Sequence, residues 1–417
     1  MALTPIAEAQ AALVAAVPRM PVVAVPLDDA RGLVSARDVV AEQTVPPFAN
    51  CSLDGYAVRH DDVAGAPVEL RVLGMVPAGS VAPSPVEPGT AWKVMTGAPL
   101  PEGADTVVMV ELTSATPAAP LASAGDVVRI HEAPPRGAGV RAAGSDVKPG
   151  DRVLTAGEVL TAPRLAVLAG IGVRRIEVPR RPRVGVLVTG DELVTDPRPL
   201  RAGEIYESNG VMVRALVADS GCEVVDLGVG RDDADDMVER LTKAAAACDV
   251  VITTGGVSMG DTDPVKAALD QLGRLHWLQV SMRPAKPFAY ALLDGPERAV
   301  PVFGLPGNPV SSLVSFEVLV RPALRAMTGH RELDRPRVLA VADEPMRALG
   351  TDGRTTMLRV EARYADDGRL HVQPVGGAQE SHQIAASARA DALAELAPGS
   401  SYAPGDDVPV RMLRWDH

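Results

Sequence analysis

The chain has 417 residues, enough for two to four domains and more than one buried core. Hydrophobic residues make up 47% and charged residues 23%, yet the longest apolar runs, such as 166–173, fall well short of the ~18 residues a bilayer-crossing helix needs. A net charge of −12 excludes a broad electrostatic grip on nucleic acid, and an aromatic content of 3% argues against a stacking platform for single strands. Cys51, Cys222 and Cys248 show no CxxC or Cys/His ligand spacing, and the histidines include no HxxxH pair, so neither a disulfide framework nor a zinc site is indicated. The N-terminal stretch MALTPIAEAQAALVAAVPRM lacks a basic n-region and carries Glu8, so it reads as an amphipathic helix and not a secretory leader. The expectation is a cytoplasmic protein with no membrane partner.

The first half predicts short strands at 68–76, 91–96, 105–111 and 126–131, Val-rich runs punctuated by Pro/Gly turns. Between Arg180 and Arg325 the pattern changes. RVGVLVTG, CEVVDLGVG, DVVITTGG and AVPVFGLPG are near-continuous apolar strands, separated by the helical stretches GVMVRALVADSG, DDMVERLTKAAAAC and DPVKAALDQLG and followed by SSLVSFEVLVRPAL. Such strands belong in a parallel sheet covered by helices on both faces. Gly221 and Gly273 are placed as helix C-caps. From Arg331 the chain returns to strands, with a hairpin around Asp367-Gly368 and a final PGDDVPVRML, a barrel-like unit. The candidate linkers are 179–182 and 328–336.

In doubly wound sheets ligands collect beyond the carboxyl ends of the strands, where loops and helix N-termini converge. Three loops qualify. Gly190-Asp191-Glu192 puts two carboxylates just past a strand, although an acidic surface turn reads equally well. GGVSMGDTD (255–263) offers glycines for close backbone approach to an oxyanion and Ser258 as a donor. It nearly spells a phosphate-binding P-loop, but Asp261-Thr262 stands where Lys-Ser/Thr is required. Two aspartates beside a phosphate-friendly loop repel the ligand unless a divalent ion bridges them, and hard oxygen ligands suit Mg²⁺. GLPGNPVSSL combines prolines that fix the backbone with Ser311 near the start of a helix, a place where an anion can sit. Between the last two loops, VSMRPAKPFAY carries Arg283 and Lys286, the latter one of only five lysines, on a stretch that otherwise reads as a solvated loop.

In order along the chain, PPFANCSLDGYAV, TGAPLPEGADTVV, RAAGSDVKPGD, VLVTGDEL, YESNGVMV, VITTGGVSMGDTD, MRPAKP and GLPGNPVSSLVSF resemble the MoeA family of molybdopterin molybdenumtransferases, which includes the E domain of gephyrin. The resemblance implies an enzyme that takes adenylylated molybdopterin and molybdate and, in a Mg²⁺-dependent step, releases AMP and leaves molybdenum on the dithiolene. It implies catalytic roles for Asp54, Thr96, Asp146, Glu192, Asp232, Asp263, Pro306 and Pro309, with Asp54, Glu192 and Asp263 holding the metal. Gly255, Gly256, Ser258, Arg283, Lys286, Asn308, Ser311, Arg359 and Ser381 are the corresponding substrate-binding positions. The implied fold is a multidomain α/β plus β protein. A discontinuous domain (22–45 and 142–179) carries a β-rich insertion (46–141), followed by a three-layer α/β molybdopterin-binding domain (1–21 and 180–329) and a C-terminal β-barrel-like domain (330–417). The resemblance further implies a homodimer, with other cofactor-synthesis proteins or apo-molybdoenzymes as candidates for transient contact.

Three segments depart from the family pattern: Leu53 replaces the usual Met, Pro264 follows Asp263 where an aromatic is usual, and Arg283-Pro-Ala285-Lys286 replaces KPGK. Ala285 puts a β-carbon where glycine is usual, which is expected to narrow the pocket or bar a φ above zero. The competing functions are a molybdopterin adenylyltransferase or related nucleotide pyrophosphatase, and a non-catalytic scaffold of the gephyrin type. The single-domain enzymes lack the LDGYA and TGAPLP modules, and a scaffold tolerates loss of acids that this chain keeps.

Overall fold

The computed structural model describes residues 2–255, 264–295, 298–376 and 379–414. The chain forms two compact units, Met1–Arg37, Ala156–Leu160 and Ile176–His417 in one and Asp38–Thr155 with Thr161–Arg175 in the other.

The smaller unit is built on strands β1 (Gly55–Val58), β2 (Val68–Val76), β3 (Thr90–Val94), β4 (Thr106–Met109) and β5 (Val127–Ile130), ordered β4-β1-β3-β2-β5. The period-2 alternation of a strand decides its packing. Tyr56 and Val58 enter one core with Leu70, Val108 and Ile130, while Ala57 enters another with Trp92, Val94 and Val107. β1 and β3 run antiparallel with Gly55 opposite Val94, so the residue before β1 and the loop after β3 arrive at the same edge.

In the larger unit, helix α1 (Ile6–Ala16) packs Ala9 and Leu13 into the main core. The chain then runs β6 (Arg183–Thr189), the short pair β7 (Leu193–Val194) and β8 (Ile205–Tyr206), α2 (Asn209–Asp219), β9 (Glu223–Gly230), α3 (Ala234–Ala247), β10 (Val250–Thr254), α4 (Pro264–Leu272), β11 (Gly273–Gln279), β12 (Pro287–Asp294), β13 (Ala299–Leu305), α5 (Pro309–Ser315) and α6 (Arg321–Met327). The six-stranded sheet is ordered β9-β6-β10-β13-β12-β11. Its first four strands are parallel, and their continuous apolar stretches serve two cores. Val184, Val186, Ile252 and Phe303 face one, and Leu187, Val251 and Val302 face the other. α3 is capped by Asp233, whose side chain accepts the Asp236 N–H, and it buries Met237, Leu241, Ala244 and Ala245 along one stripe.

Two details correct the sequence reading. The stretch containing MRPAKPFAY is not a solvated loop throughout, because Pro287–Asp294 is an interior antiparallel strand between β11 and β13. Gly273 is not a left-handed cap either. β11 starts there directly, and a β-carbon at this position would lie 2.2 Å from the Leu292 carbonyl oxygen. Gly221, by contrast, has φ +80° after the last turn of α2, as a C-cap glycine requires.

The C-terminal strands β14 (Arg337–Ala342), β15 (Thr355–Tyr364), β16 (Leu370–Pro374), β17 (Ala392–Leu396) and β18 (Asp407–Met412) close into a five-stranded barrel, because β17 pairs with both β18 and β15. Met282–Arg283 adds a short strand beside the start of β15. No helix of the described residues is long and apolar enough to cross a membrane.

The β15–β16 hairpin is held by His371, whose ring nitrogens lie 2.6 Å from Asp343 and 3.1 Å from Asp367. These carboxylates, Asp343 foremost, raise the imidazole pKa above its ordinary value, and Arg363 in turn pairs with Asp343. A raised folded-state pKa gives stability that is complete below the unfolded value and fades as pH climbs through the folded one. His371→Ala should therefore lower the melting temperature more at pH 5.5 than at pH 9. An equal drop at both pH values means the charge contributes nothing.

Candidate functional site

Two clefts meet in the larger unit, beyond the carboxyl ends of β6, β10 and β13. The first, of about 740 Å³, is lined by the β6–β7 turn (Thr189, Gly190, Glu192), by Ile205 to Asn209, by Asp232, by Thr254-Gly255, and by Pro306 to Pro309. Its close approaches depend on glycine. A β-carbon on Gly190 would stand 2.7 Å from the Glu192 carboxylate, and one on Gly255, at φ +85°, would stand 2.8 Å from the Thr189 carbonyl oxygen. Asp191 and Asp232 brace their two loops, each backbone N–H reaching the other's carboxylate at 3.4 and 3.2 Å.

Glu207, Asn209 and the Gly307 carbonyl form the adjoining wall. The Glu207 carboxylate accepts the Gly210 N–H at 2.5 Å, and the Asn209 amide donates to Gly307 O at 2.7 Å. The loop into α5 is rigid. Pro309 occupies the first helical turn, and the Ser312 hydroxyl donates to the buried Pro306 carbonyl.

Among the described residues, three carboxylates and no lysine or arginine line this cleft. A phosphate here meets backbone and helix N-terminus but no compensating cation of the protein, so the donor chemistry, hard carboxylate oxygen, fits Mg²⁺. Among the described residues no three His, Cys, Asp or Glu side chains converge on one metal position. Asp263, the third expected ligand, lies outside the described residues, as do Gly256, Ser258 and Asp261.

The second cleft, of about 450 Å³, has the opposite character. It is lined by Arg283, Ala285, Lys286 and Ser311 from the α/β layer and by Arg354, Thr356 and the Gln379–His382 segment from the barrel side. Pairing of Met282–Arg283 with Thr355-Thr356 brings the two groups together. Arg283 donates to Asp352 at 2.7 Å. Arg354 foremost, then Arg283, hold the Asp352 carboxyl down to about 2. The Lys286 ammonium has no ion-pair partner among the described residues. Pro287 and His382 line both clefts, so the acidic and basic compartments adjoin.

Ala285 does adopt a left-handed conformation, with φ +73° and its methyl buried. The expectation that its β-carbon bars such a φ is incorrect: buried surroundings hold the residue there, and the methyl becomes part of the cleft wall. Arg359 is also placed differently from the expectation of a substrate-binding group. It is 1% exposed, and its guanidinium and backbone N–H bond Gln379, Glu380 O, Gln383 O and Ser387. It positions the segment that presents Ser381, whose carbonyl in turn accepts the Val310 N–H at 3.1 Å.

In the smaller unit, Asp54 and Thr96 come together at the edge set by β1 and β3. The Thr96 N–H and hydroxyl donate to one Asp54 oxygen at 2.7 and 2.8 Å. These bonds hold the Asp54 carboxyl below the usual carboxylate range, so it is ionised and exposed. Asp146 is exposed on a separate turn, its N–H bonded to Val45 O at 3.0 Å.

Arg354, Thr356, Glu207, Asn209 and His382 were not among the sequence candidates. Only Glu207 and Asn209 had a signal, as part of the quoted YESN motif.

A layered α/β unit with an acidic, glycine-lined cleft beside a basic pocket completed by a closed barrel defines an anion-handling protein built from several modules. Comparison with known proteins agrees. Residues 4–172 match the MoeA N-terminal region (domain I and II), 185–326 a probable molybdopterin binding domain, and 347–413 the MoeA C-terminal region (domain IV). A molybdopterin molybdenumtransferase of Haemophilus influenzae is 35% identical over 370 residues, 89% of this chain and 88% of its own. Molybdopterin molybdenumtransferase 2 of Mycobacterium tuberculosis is 40% identical over 76% of this chain and 78% of its own. The crystal structure of the molybdopterin biosynthesis MoeA protein of Pyrococcus horikoshii OT3 superposes with TM-score 0.80 at 29% identity, covering 99% of this chain and all of that one. The chain belongs to the MoeA family of molybdopterin molybdenumtransferases.

Proposed function

We propose that this protein inserts molybdate into adenylylated molybdopterin with release of AMP, as a cytoplasmic homodimer organised in the four domains expected from the sequence. The observation that carries the reading is the adjoining pair of clefts, one acidic and glycine-lined, one basic. The reaction brings together two anions that repel each other, and it needs separate accommodation for each. The basic cleft suits a tetrahedral oxyanion, which Lys286, Arg283, Ser311 and Ser381 can meet with charge and hydroxyl donors. The acidic cleft suits a pyrophosphate that arrives with Mg²⁺. Asp54, Glu192 and Asp263 are the residues to hold that ion, which when bound neutralises phosphate charge. Asp146 and Asp232 orient the attacking water or oxyanion, and the backbone held by Gly255, Asn308 and the two prolines positions the phosphates.

The test is direct. Purified protein, adenylylated molybdopterin, molybdate and Mg²⁺ should yield AMP and activate a cofactor-free molybdoenzyme. Glu192→Gln should slow AMP release by about 10²-fold or more, the order of loss on removing a key electrostatic group. Failure of the wild-type protein to release AMP or to activate the acceptor overturns the reading.

A further inference from the structure

We propose that Tyr206 is the platform on which a flat fused-ring nitrogen heterocycle of the substrate stacks, adenine or pterin. The inference rests on the function proposed above and adds the groups that recognise the ring. Among the described residues, the β6–β7, Asp232, Thr254-Gly255 and Pro306–Pro309 loops of the acidic cleft offer carboxylates, backbone and prolines, which suit phosphate, metal and sugar hydroxyls. The rest of the lining includes the β7–β8 ribbon, with Leu193, Ile205 and Tyr206, and the side formed by Pro287, His382 and Ile384; Tyr206 carries the largest ring among them. Ile205 and Tyr206 are 53% and 51% exposed, in a chain with only five tyrosines.

The ring is exposed but not loose. Its hydroxyl donates to the Arg198 carbonyl at 2.6 Å. Arg198 is clamped to Glu204 by two bonds of 2.6 and 2.8 Å, and Glu204 also accepts the Arg201 N–H at 2.7 Å. Strand pairing of Val194 with Tyr206 fixes the other side. The 198–204 loop thus closes on itself and holds Tyr206 at the cleft. A platform ordered in advance loses little entropy on binding, which is what stacking recognition requires. Because every such ring has a π-face, the contribution is set by the ring and not by the phosphate.

The probes are two matched pairs, AMP against ribose 5-phosphate and neopterin phosphate against glycerol phosphate, titrated calorimetrically with Mg²⁺ present. In at least one pair the wild-type protein should prefer the ring-bearing member by roughly tenfold to a hundredfold. Tyr206→Ala should erase that preference and leave affinity for the ringless member unchanged, while Tyr206→Phe and Tyr206→Trp retain it. The pair that responds identifies the stacked ring as adenine or pterin. The proposal is overturned if neither pair shows a preference, if Tyr206→Ala keeps it, or if that variant weakens both members equally. Wild-type protein that transfers molybdenum while Tyr206→Ala keeps its preference sinks the platform alone. Wild-type protein without transfer activity sinks the proposed function instead.

Discussion

Glu317→Ala should cost about 3–5 kcal/mol of stability, the loss expected when one partner of a buried ion pair is removed. The Glu317 side chain is 2% exposed and lies in a single π-type turn, Phe316–Val320, between α5 and α6. Arg335 donates to both its oxygens at 2.9 Å, and Arg321, itself buried, lies 3.9 Å away. Arg321 Nε has no hydrogen-bond partner among the described residues, and burial pushes the neighbouring Arg325 down to about 10. Removing the carboxylate takes away the charge that both Arg335 and the buried Arg321 face at close range, in a low-dielectric setting. The double replacement Glu317→Met with Arg335→Met should recover only part of the loss, because it removes that pair and leaves buried Arg321 without the carboxylate. Urea denaturation followed by circular dichroism measures both. A single-variant loss under about 1 kcal/mol, the scale of an exposed pair, contradicts the account. The effect also reaches the site, since the turn containing Glu317 directly continues α5, which begins at Pro309 and carries Ser311 into the basic cleft.

The parallel core was legible because its strands are buried on both faces, so RVGVLVT and VVITT read as unbroken apolar runs. The two antiparallel strands of the same sheet, β11 and β12, were not. GRLHWLQ is half polar and sits at a sheet edge, and PFAYALLD follows a proline-punctuated segment that imitates a loop. The same division holds for the site. Glu192, Gly255, Pro306 and Pro309 stand in loops that directly follow strands or open a helix, where local pattern points to a ligand, and with Asp232, reached only through the family resemblance, they line one cleft. Arg354 and Thr356 reach the basic cleft only because barrel closure and the pairing of residues 282–283 with β15 bring them there, a non-local fact with no local signature. Arg359 shows the converse limit. On a strand, side-chain direction alternates with register, and a shift of one residue separates a cleft-facing arginine from one that braces the loop behind it.

Lys286→Met should weaken oxyanion binding in the basic cleft by about 10- to 100-fold, since a hydrogen bond to a charged group contributes about 1.5–3 kcal/mol. Arg283→Met should cost less. Asp352 already engages Arg283 at 2.7 Å and Arg354 at 2.8 Å, so part of the Arg283 field is cancelled before any ligand arrives. Lys286 has no such partner among the described residues, and in a chain of net charge −12 its field is the main attraction for an anion at that wall. The same reasoning fixes the sign of a third variant: Asp352→Asn frees Arg283 and should tighten binding. Equilibrium dialysis with molybdate or tungstate, read by elemental analysis, ranks the three. An Arg283→Met defect larger than that of Lys286→Met would show that the Asp352 pair orients Arg283 for the ligand without diminishing its charge. In that event Asp352→Asn should weaken binding, so the two variants together decide between attenuation and preorganisation.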